Sequence, residues 1–312
     1  MQIGMTLPCM VRGLDRKAIL SWCRGIDEGP FASLAVGERV TYHSTEMRTL
    51  LAAAAALTER VRIVPTLYIL PMHPTALVAK EVASLDVLSN GRVTITVGVG
   101  GREHDYRAAE KPFKDRFRRL DAQVAELRRL WAGEPPFPGA EPIGPPPVQK
   151  GGPPIWSGAF GPKSLRRAAA WADGVMGFST AGDAAEVAAA IELVRAAWRD
   201  AGAARAPRLV TGFWYALGPG AEERLRGYVF DYLRLFGDKP ALAVAERCRI
   251  SSAEAFRDCA EAIAALGADE LMLVPTTADP AELDRTRDAL AGCKLQARAQ
   301  RGEAERSQKG LS

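Results

Sequence analysis

Histidine is scarce in this chain: His43, His73 and His104 are the three present among 312 residues. No HxxxH or HxH spacing joins them, which argues against a metal site. The five cysteines, Cys9, Cys23, Cys248, Cys259 and Cys293, are scattered and form no CxxC pair. That excludes a disulfide scaffold and a zinc framework. The chain has no GxSxG elbow and no Walker loop. It has no apolar run long enough to span a membrane. No basic stretch followed by a long apolar run stands near Met1, so the expected location is the cytoplasm. Excess charge of one sign is also missing from the body. The net charge is +4, and the five basic and two acidic residues of 294–312 account for most of it. A near-neutral body lacks the footprint of a nucleic-acid binder. Residues 293–312 read as a disordered tail.

What is present is alternation. Eight apolar runs rich in Val, Ile, Leu and Phe read as strands buried on both faces: 2–7, 32–37, 61–69, 93–98, 154–157, 174–178, 208–216 and 269–274. Four of the intervals between them are about 30 residues, the length of a βαβ unit. Amphipathic patterns fill the gaps. In the clearest, 112–131, Phe113, Phe117, Leu120, Val124, Leu127 and Leu130 recur every three or four residues. Another begins at Pro74, a good first helical residue, and ends at Asn90-Gly91, a left-handed cap signal. Seven prolines within 133–152 mark a loop. Strict alternation predicts parallel strands, and eight of them suit a (β/α)8 TIM barrel over residues 1–292, with an insertion at about 217–268 before the last strand. An open doubly wound sheet is the rival. In a barrel, the loops after the strands carry the chemistry.

Two of those loops have the composition of a ligand site. Ser157, Gly158, Ala159, Phe160, Gly161, Lys163 and Ser164 follow a strand and open a helix, where free N–H groups and the helix dipole favour an anion. An ordinary capped turn is the other reading of the same residues. Gly98, Val99 and Gly100 end the fourth strand. A dinucleotide fingerprint would need a helix directly afterwards and an acidic partner on the next strand. Here Arg102 to Tyr106 intervene as loop before Pro112, leaving a flexible turn or a close backbone approach to a flat ring. The aromatic residues of 228–236 suit either helix packing or an apolar substrate pocket. A cofactor-free barrel lyase would need an inward lysine or a carboxylate pair at strand ends, and the sequence offers no such set.

The run ASLDVLSNGRVTITVGVGGREHDYRAAEKPFKDRFRRLDAQVAELRRLW, with IGMTLP before it and PPIWSGAFGPKSLRRAAAWADGVMGF after it, resembles the luciferase-like monooxygenase family. The resemblance covers about residues 1–292 and is weakest in 217–268. It implies FMN or coenzyme F420 at the carboxyl end of the barrel, a small organic substrate, a flavin or F420 reductase as supplier, and a homodimer as one option. It places the cofactor phosphate at Ser157–Ser164 and the ring near Leu67, Tyr68, Gly98 and Val99, with a non-proline cis peptide at Leu67–Tyr68. It places Thr6, Leu7 and Pro8 on the substrate side. Many relatives carry a catalytic histidine where this chain has Arg39. Arginine cannot act as a base at neutral pH, so Arg39 suits an anionic substrate or a reduced-flavin anion, and His43 becomes the acid/base candidate. A glutamate used by the deazaflavin sugar-phosphate branch is replaced by Gly101. The expected activity is a monooxygenase using reduced FMN and oxygen. The alternatives are an F420-dependent hydride transfer and a non-catalytic flavin-binding protein.

Overall fold

The computed structural model describes residues 1–295. The strands are β1 (Gln2–Thr6), β2 (Ser33–Val36), β3 (Arg62–Ile69), β4 (Ile95–Gly98), β5 (Ile155–Ser157), β6 (Gly174–Met176), β7 (Arg208–Tyr215) and β8 (Glu270–Pro275). All eight pair in parallel and in chain order, and β8 returns to β1 to close a barrel. The open-sheet alternative is thereby excluded. The helices are α1 (Arg16–Glu28), α2 (Met47–Leu57), α3 (Thr75–Leu88), α4 (Glu103–Ala108), α5 (Arg116–Trp131), α6 (Pro162–Ala168), α7 (Ala184–Asp200), α8 (Ala221–Leu233), α9 (Asp238–Arg247), α10 (Ala253–Ala265) and α11 (Ala281–Ala291). The expected insertion is the excursion through α8 and α9, after which α10 packs beside α7 and α11 as an outer helix of the ring. The predicted tail lies, from residue 296 onward, outside the described residues.

Strand composition explains the two cores. Ala35, Val64, Trp156, Val210 and Met272 come from five strands yet form one cluster, so they fill the barrel interior. Their neighbours in sequence, such as Leu34, Ile63, Ile155, Leu209 and Leu271, join the large cluster under the helices. Period-two alternation thus buries both faces, as a parallel barrel requires. At the amino end of the barrel, Glu270 is fully buried. It accepts from Ser33 Oγ at 2.6 Å and Arg208 Nη2 at 3.0 Å and pairs with Arg62. Both guanidinium groups lie over the Trp156 ring, at 5.3 and 5.7 Å. This network plugs the end of the barrel remote from the strand-to-helix loops.

Helix starts follow their caps. Asp15 accepts from Ala18 N at 2.7 Å, and Asp183 from Ala185 N at 2.8 Å. Glu46 caps α2, accepting from Thr49 N at 2.7 Å and from Arg48 Nε at 2.6 Å. Burial pushes the Glu46 carboxyl up, but these hydrogen bonds outweigh it and hold the group at about 2. A carboxyl depressed from an unfolded value of about 4.3 contributes stability that is complete above that value and is lost as pH falls through the folded one. Glu46→Gln is therefore expected to be less stable than the parent at neutral pH, with the gap closing between about pH 4 and pH 2. Glu46 is half-exposed, so screening keeps the gap small. Denaturation across that range checks it, and a gap independent of pH would contradict it.

Candidate active site

The carboxyl mouth of the barrel is shaped by one side chain and three glycines. Leu67 follows the cis peptide, which joins Thr66 and Leu67. The bond lies one residue before the expected Leu67–Tyr68 position, in the stretch where the pairing of β3 with β4 shifts register, between Thr66 and Tyr68. The Leu67 side chain reaches across the ends of β4 and β5. A Cβ on Gly98 would come within 2.9 Å of Leu67 Cδ2, and one on Gly158 within 2.4 Å of the same atom. Only bare backbone leaves room for that side chain. Gly100 has φ +62°, the left-handed region where a side chain is strained. The buried Tyr106 fixes this loop by donating its hydroxyl to Val99 O at 2.5 Å.

Above Leu67 opens a cavity of about 560 Å³ bounded by the ends of β2 to β5 and by α5 and α6. Ser157, Gly158, Ala159, Phe160, Gly161 and Ser164 line it, as do Gly98, Val99 and Gly100. Pro162 occupies the first turn of α6, and the first backbone bond there runs from Leu165 N to Gly161 O at 2.9 Å. The helix ladder therefore leaves the N–H groups of Lys163 and Ser164 unused. Arg167, one turn further, also lines the cavity and pairs with Asp121 of α5. One end of the cavity is thus flat and apolar, and the other carries donors.

A second chamber of about 430 Å³ adjoins the first and shares Met10, Leu67, Arg102, Phe160 and Tyr232 with it. Thr6, Leu7 and Pro8 line it from β1. Phe178, Trp214, Tyr228 and Phe236 supply aromatic walls. Phe178 meets Trp214 edge-on at 4.9 Å between centroids, and Trp214 meets Tyr232 at 5.5 Å. The aromatic residues of 228–236 therefore divide: Tyr228, Tyr232 and Phe236 reach the chamber, while Phe230 packs with the helices of the excursion.

Several expected residues stand elsewhere. Tyr68 is buried outside both chambers, its hydroxyl donating to Glu81 Oε2 of α3 at 2.5 Å. It lies just past the register shift between β3 and β4, and its side chain faces α3 rather than the mouth. Lys163 is exposed and lines neither chamber. His43 is exposed, lies outside both chambers, and bonds through Nε2 to Met10 O at 3.0 Å. Arg39 does line the larger cavity, with its guanidinium 3.7 Å from the Tyr42 centroid. Sequence patterns gave no notice of Arg102, Asp105 or Asp121, which reach the site from α4 and α5, whereas Tyr232 comes from the aromatic set of the excursion. The residues between β4 and Pro112 read as a loop, whereas Glu103–Ala108 form α4 and place Asp105 against Thr41, at 2.7 Å from its N.

Burial keeps the phenols and the thiol in and beside the chambers protonated at neutral pH. Burial pushes Tyr42 up to about 12 and raises Tyr228 and Tyr232 well clear of neutrality. Burial also pushes the Cys9 thiol up to about 11, which leaves it a poor nucleophile. Among the described residues no group of histidine, cysteine or carboxylate side chains could hold a metal ion. No helix among them is long and apolar enough to cross a membrane.

The family model described as luciferase-like monooxygenase matches residues 2–283. Pyrimidine monooxygenase RutA of Acinetobacter baylyi is 35% identical over 103 residues, which cover 31% of this chain and 28% of that protein. An F420-dependent secondary alcohol dehydrogenase solved with an F420-acetone adduct superposes with a TM-score of 0.73 at 20% identity, over 92% of this chain and 97% of its own. The oxygenating constituent of 3,6-diketocamphane monooxygenase from Pseudomonas putida, solved with FMN, gives 0.71 at 15% identity, over 95% and 98%. Likeness at that level of identity concerns the fold.

Proposed function

The chain belongs to the luciferase-like monooxygenase family, and from that premise we propose that it is an oxidoreductase that holds reduced FMN in the larger cavity and oxidises a small organic substrate in the aromatic chamber. The observation that carries this reading is the cradle over Leu67. Two strand ends present bare backbone to one cavity whose far side offers unused N–H groups. A tricyclic ring with a phosphate tail has the matching polarity, and about 560 Å³ lies within the usual range for ligand sites. In this reading Gly98, Val99, Gly100 and Leu67 hold the ring. The Ser164 hydroxyl and the unused N–H groups of Lys163 and Ser164 hold the phosphate, with Arg167 adding a charge that Asp121 partly offsets.

When bound, reduced FMN supplies the electrons that let oxygen react with an organic molecule. The chain's own part is to position and to exclude water. Phe178, Trp214 and Tyr228 form an apolar wall beside the ring site, which keeps the reacting centre dry. The protonated phenols of Tyr228 and Tyr232 can donate hydrogen bonds and not accept protons. A separate reductase supplies the reduced coenzyme, and a cytoplasmic setting suits that supply. The alternative, hydride transfer with coenzyme F420, draws on the neighbour solved with an F420-acetone adduct. The test is turnover of oxygen by the purified chain, with FMN, a flavin reductase and candidate substrates, beside anaerobic assays with reduced F420. Substrate-dependent oxygen uptake with FMN supports the first reading. Substrate reduction by reduced F420, or substrate oxidation with oxidised F420 as the acceptor, replaces it by the second, and activity with neither coenzyme removes both.

A further inference from the structure

Where the two chambers meet, the protein leaves positive charge unanswered. Six charged side chains line the larger cavity: Glu38, Arg39, Arg102, Asp105, Asp121 and Arg167. Glu38 accepts from Ile69 N at 2.6 Å and bonds His73 Nε2 at 2.8 Å. Arg167 and Asp121 pair with each other. Asp105 Oδ1 accepts from Thr41 N at 2.7 Å and Thr41 Oγ1 at 2.5 Å. Arg39 and Arg102 stand apart from this pattern, since neither forms a salt bridge within 4.0 Å with any described carboxylate. Arg39 makes no hydrogen bond, and its Nε and Nη1 are buried without partners. Arg102 is 9% exposed, gives one bond from Nη2 to Tyr232 O at 3.2 Å, and leaves Nη1 buried and unpartnered. Both guanidinium groups lie over Tyr232, at 5.2 and 4.9 Å from its centroid.

Two like charges gathered round one ring repel each other, and burial without a counter-ion in contact is costly, although Asp105 attracts Arg102 from a distance. Cation–π contact offsets that only in part. Burial lowers the Arg102 pKa, yet a guanidinium keeps its proton at neutral pH. An arrangement of this kind is stable against its alternatives when a ligand brings the missing negative charge. The anionic tail of a coenzyme is poorly placed to do so. Arg39 follows β2, and the Gly158–Ser164 turn follows β5, three strands round the barrel; Arg102 follows β4, beside β5, but its guanidinium is turned to Tyr232. The guanidinium groups instead border the aromatic chamber through Tyr232, which lines both spaces.

We propose that Arg39 and Arg102 form an oxyanion site for the substrate, which is therefore an anion: a carboxylate or an ionised phenol on a flat apolar body that lies among Trp214, Tyr228 and Phe178. The inference deepens the proposed oxidoreductase function and rests on its division into ring site and substrate chamber. Asp105 refines it. Its Oδ2 is buried without a partner in the same cavity, so a hydroxyl beside the oxyanion is matched as well.

Salicylate and its neutral amide, salicylamide, test this, because they differ only in the charged group. Their affinities are compared in one sample by quenching of Trp214 and tyrosine fluorescence, so that any loss of folded protein cancels in the ratio. Salicylate is expected to bind the parent about tenfold tighter, the equivalent of about 1.4 kcal/mol. The ratio should fall close to one in Arg39→Gln and in Arg102→Gln and recover in part in Arg39→Lys. Equal affinities in the parent, or a preference that survives both glutamine substitutions, would overturn the proposal. So would an Arg39→Gln variant whose ratio is intact but whose affinity for reduced FMN drops, since that assigns the guanidinium to the coenzyme. FMN and F420 are titrated into the same samples. Salicylate preference without coenzyme binding removes the coenzyme reading and keeps the anion site, and the reverse outcome does the opposite.

Discussion

Gly158→Val is expected to weaken coenzyme binding about a hundredfold while leaving the far-ultraviolet spectrum of the protein unchanged. The new Cβ would stand 2.4 Å from Leu67 Cδ2. Leu67 already occupies the space that a Cβ on Gly98 would take, its two methyl groups 2.9 and 3.0 Å from that point, so it lies against the Gly98 backbone and has little room on that side. The side chain must swing up into the cavity, where the ring would lie. Overpacking of this kind costs about 1–3 kcal/mol, and in a ligand site that cost falls on the bound state as a ten- to hundredfold loss of affinity. Valine adds two methyl groups and belongs at the upper end. Gly158→Ala should give an intermediate loss, because the tip of Leu67 can rotate away from one added carbon. Equilibrium titration of the two variants checks the order. A valine variant within about threefold of the parent would mean that the ring does not rest over Leu67.

Glu270→Ala should be the most destabilising single change at the other end of the barrel, by about 3 kcal/mol in chemical denaturation. The fully buried carboxylate answers Arg62, Arg208 and the Ser33 hydroxyl. Removing it strands two guanidinium groups beside Trp156. Breaking a buried pair typically costs about 3–5 kcal/mol. The lower figure applies because Arg62 and Arg208 are 26% and 32% exposed and regain some hydration. Glu270→Gln keeps a hydrogen-bond acceptor and should lose less. The plug lies at the amino end, so stability should fall without a matching loss of coenzyme affinity, whereas Gly158→Val should do the reverse. Loss of both properties in either variant would show that the two ends of the barrel are coupled.

The barrel itself was legible because its signal is local and repeated. Runs such as Arg208–Tyr215 carry apolar residues on both faces, and the stretch after Asp183 carries its own cap. Eight such alternations point to one closed sheet. The glycine loops after β4 and β5 were legible for the same reason, since Gly98, Gly100 and Gly158 sit where backbone must pass close to something. Relations between distant segments were not. The register shift between Thr66 and Tyr68 depends on how β3 meets β4, and around it the cis bond falls one residue early and Tyr68 turns to Glu81. Tyr232 reaches Arg39 and Arg102 across about 190 and 130 positions of chain, a meeting that no periodicity in 217–268 announces. His43 has the right side chain for acid/base work, but Met10 O holds it on the outer side of the β2 loop.

Hydrogen exchange of the backbone, compared with and without a saturating amount of whichever coenzyme binds, tests the central claim most directly. Protection should gather in the segments that follow β3, β4 and β5, above all from Gly98 to Arg102 and from Gly158 to Leu165, and should leave the Glu270 end of the barrel unchanged. Protection at the amino end, or none at the mouth under saturation, would contradict the placement of the ring over Leu67.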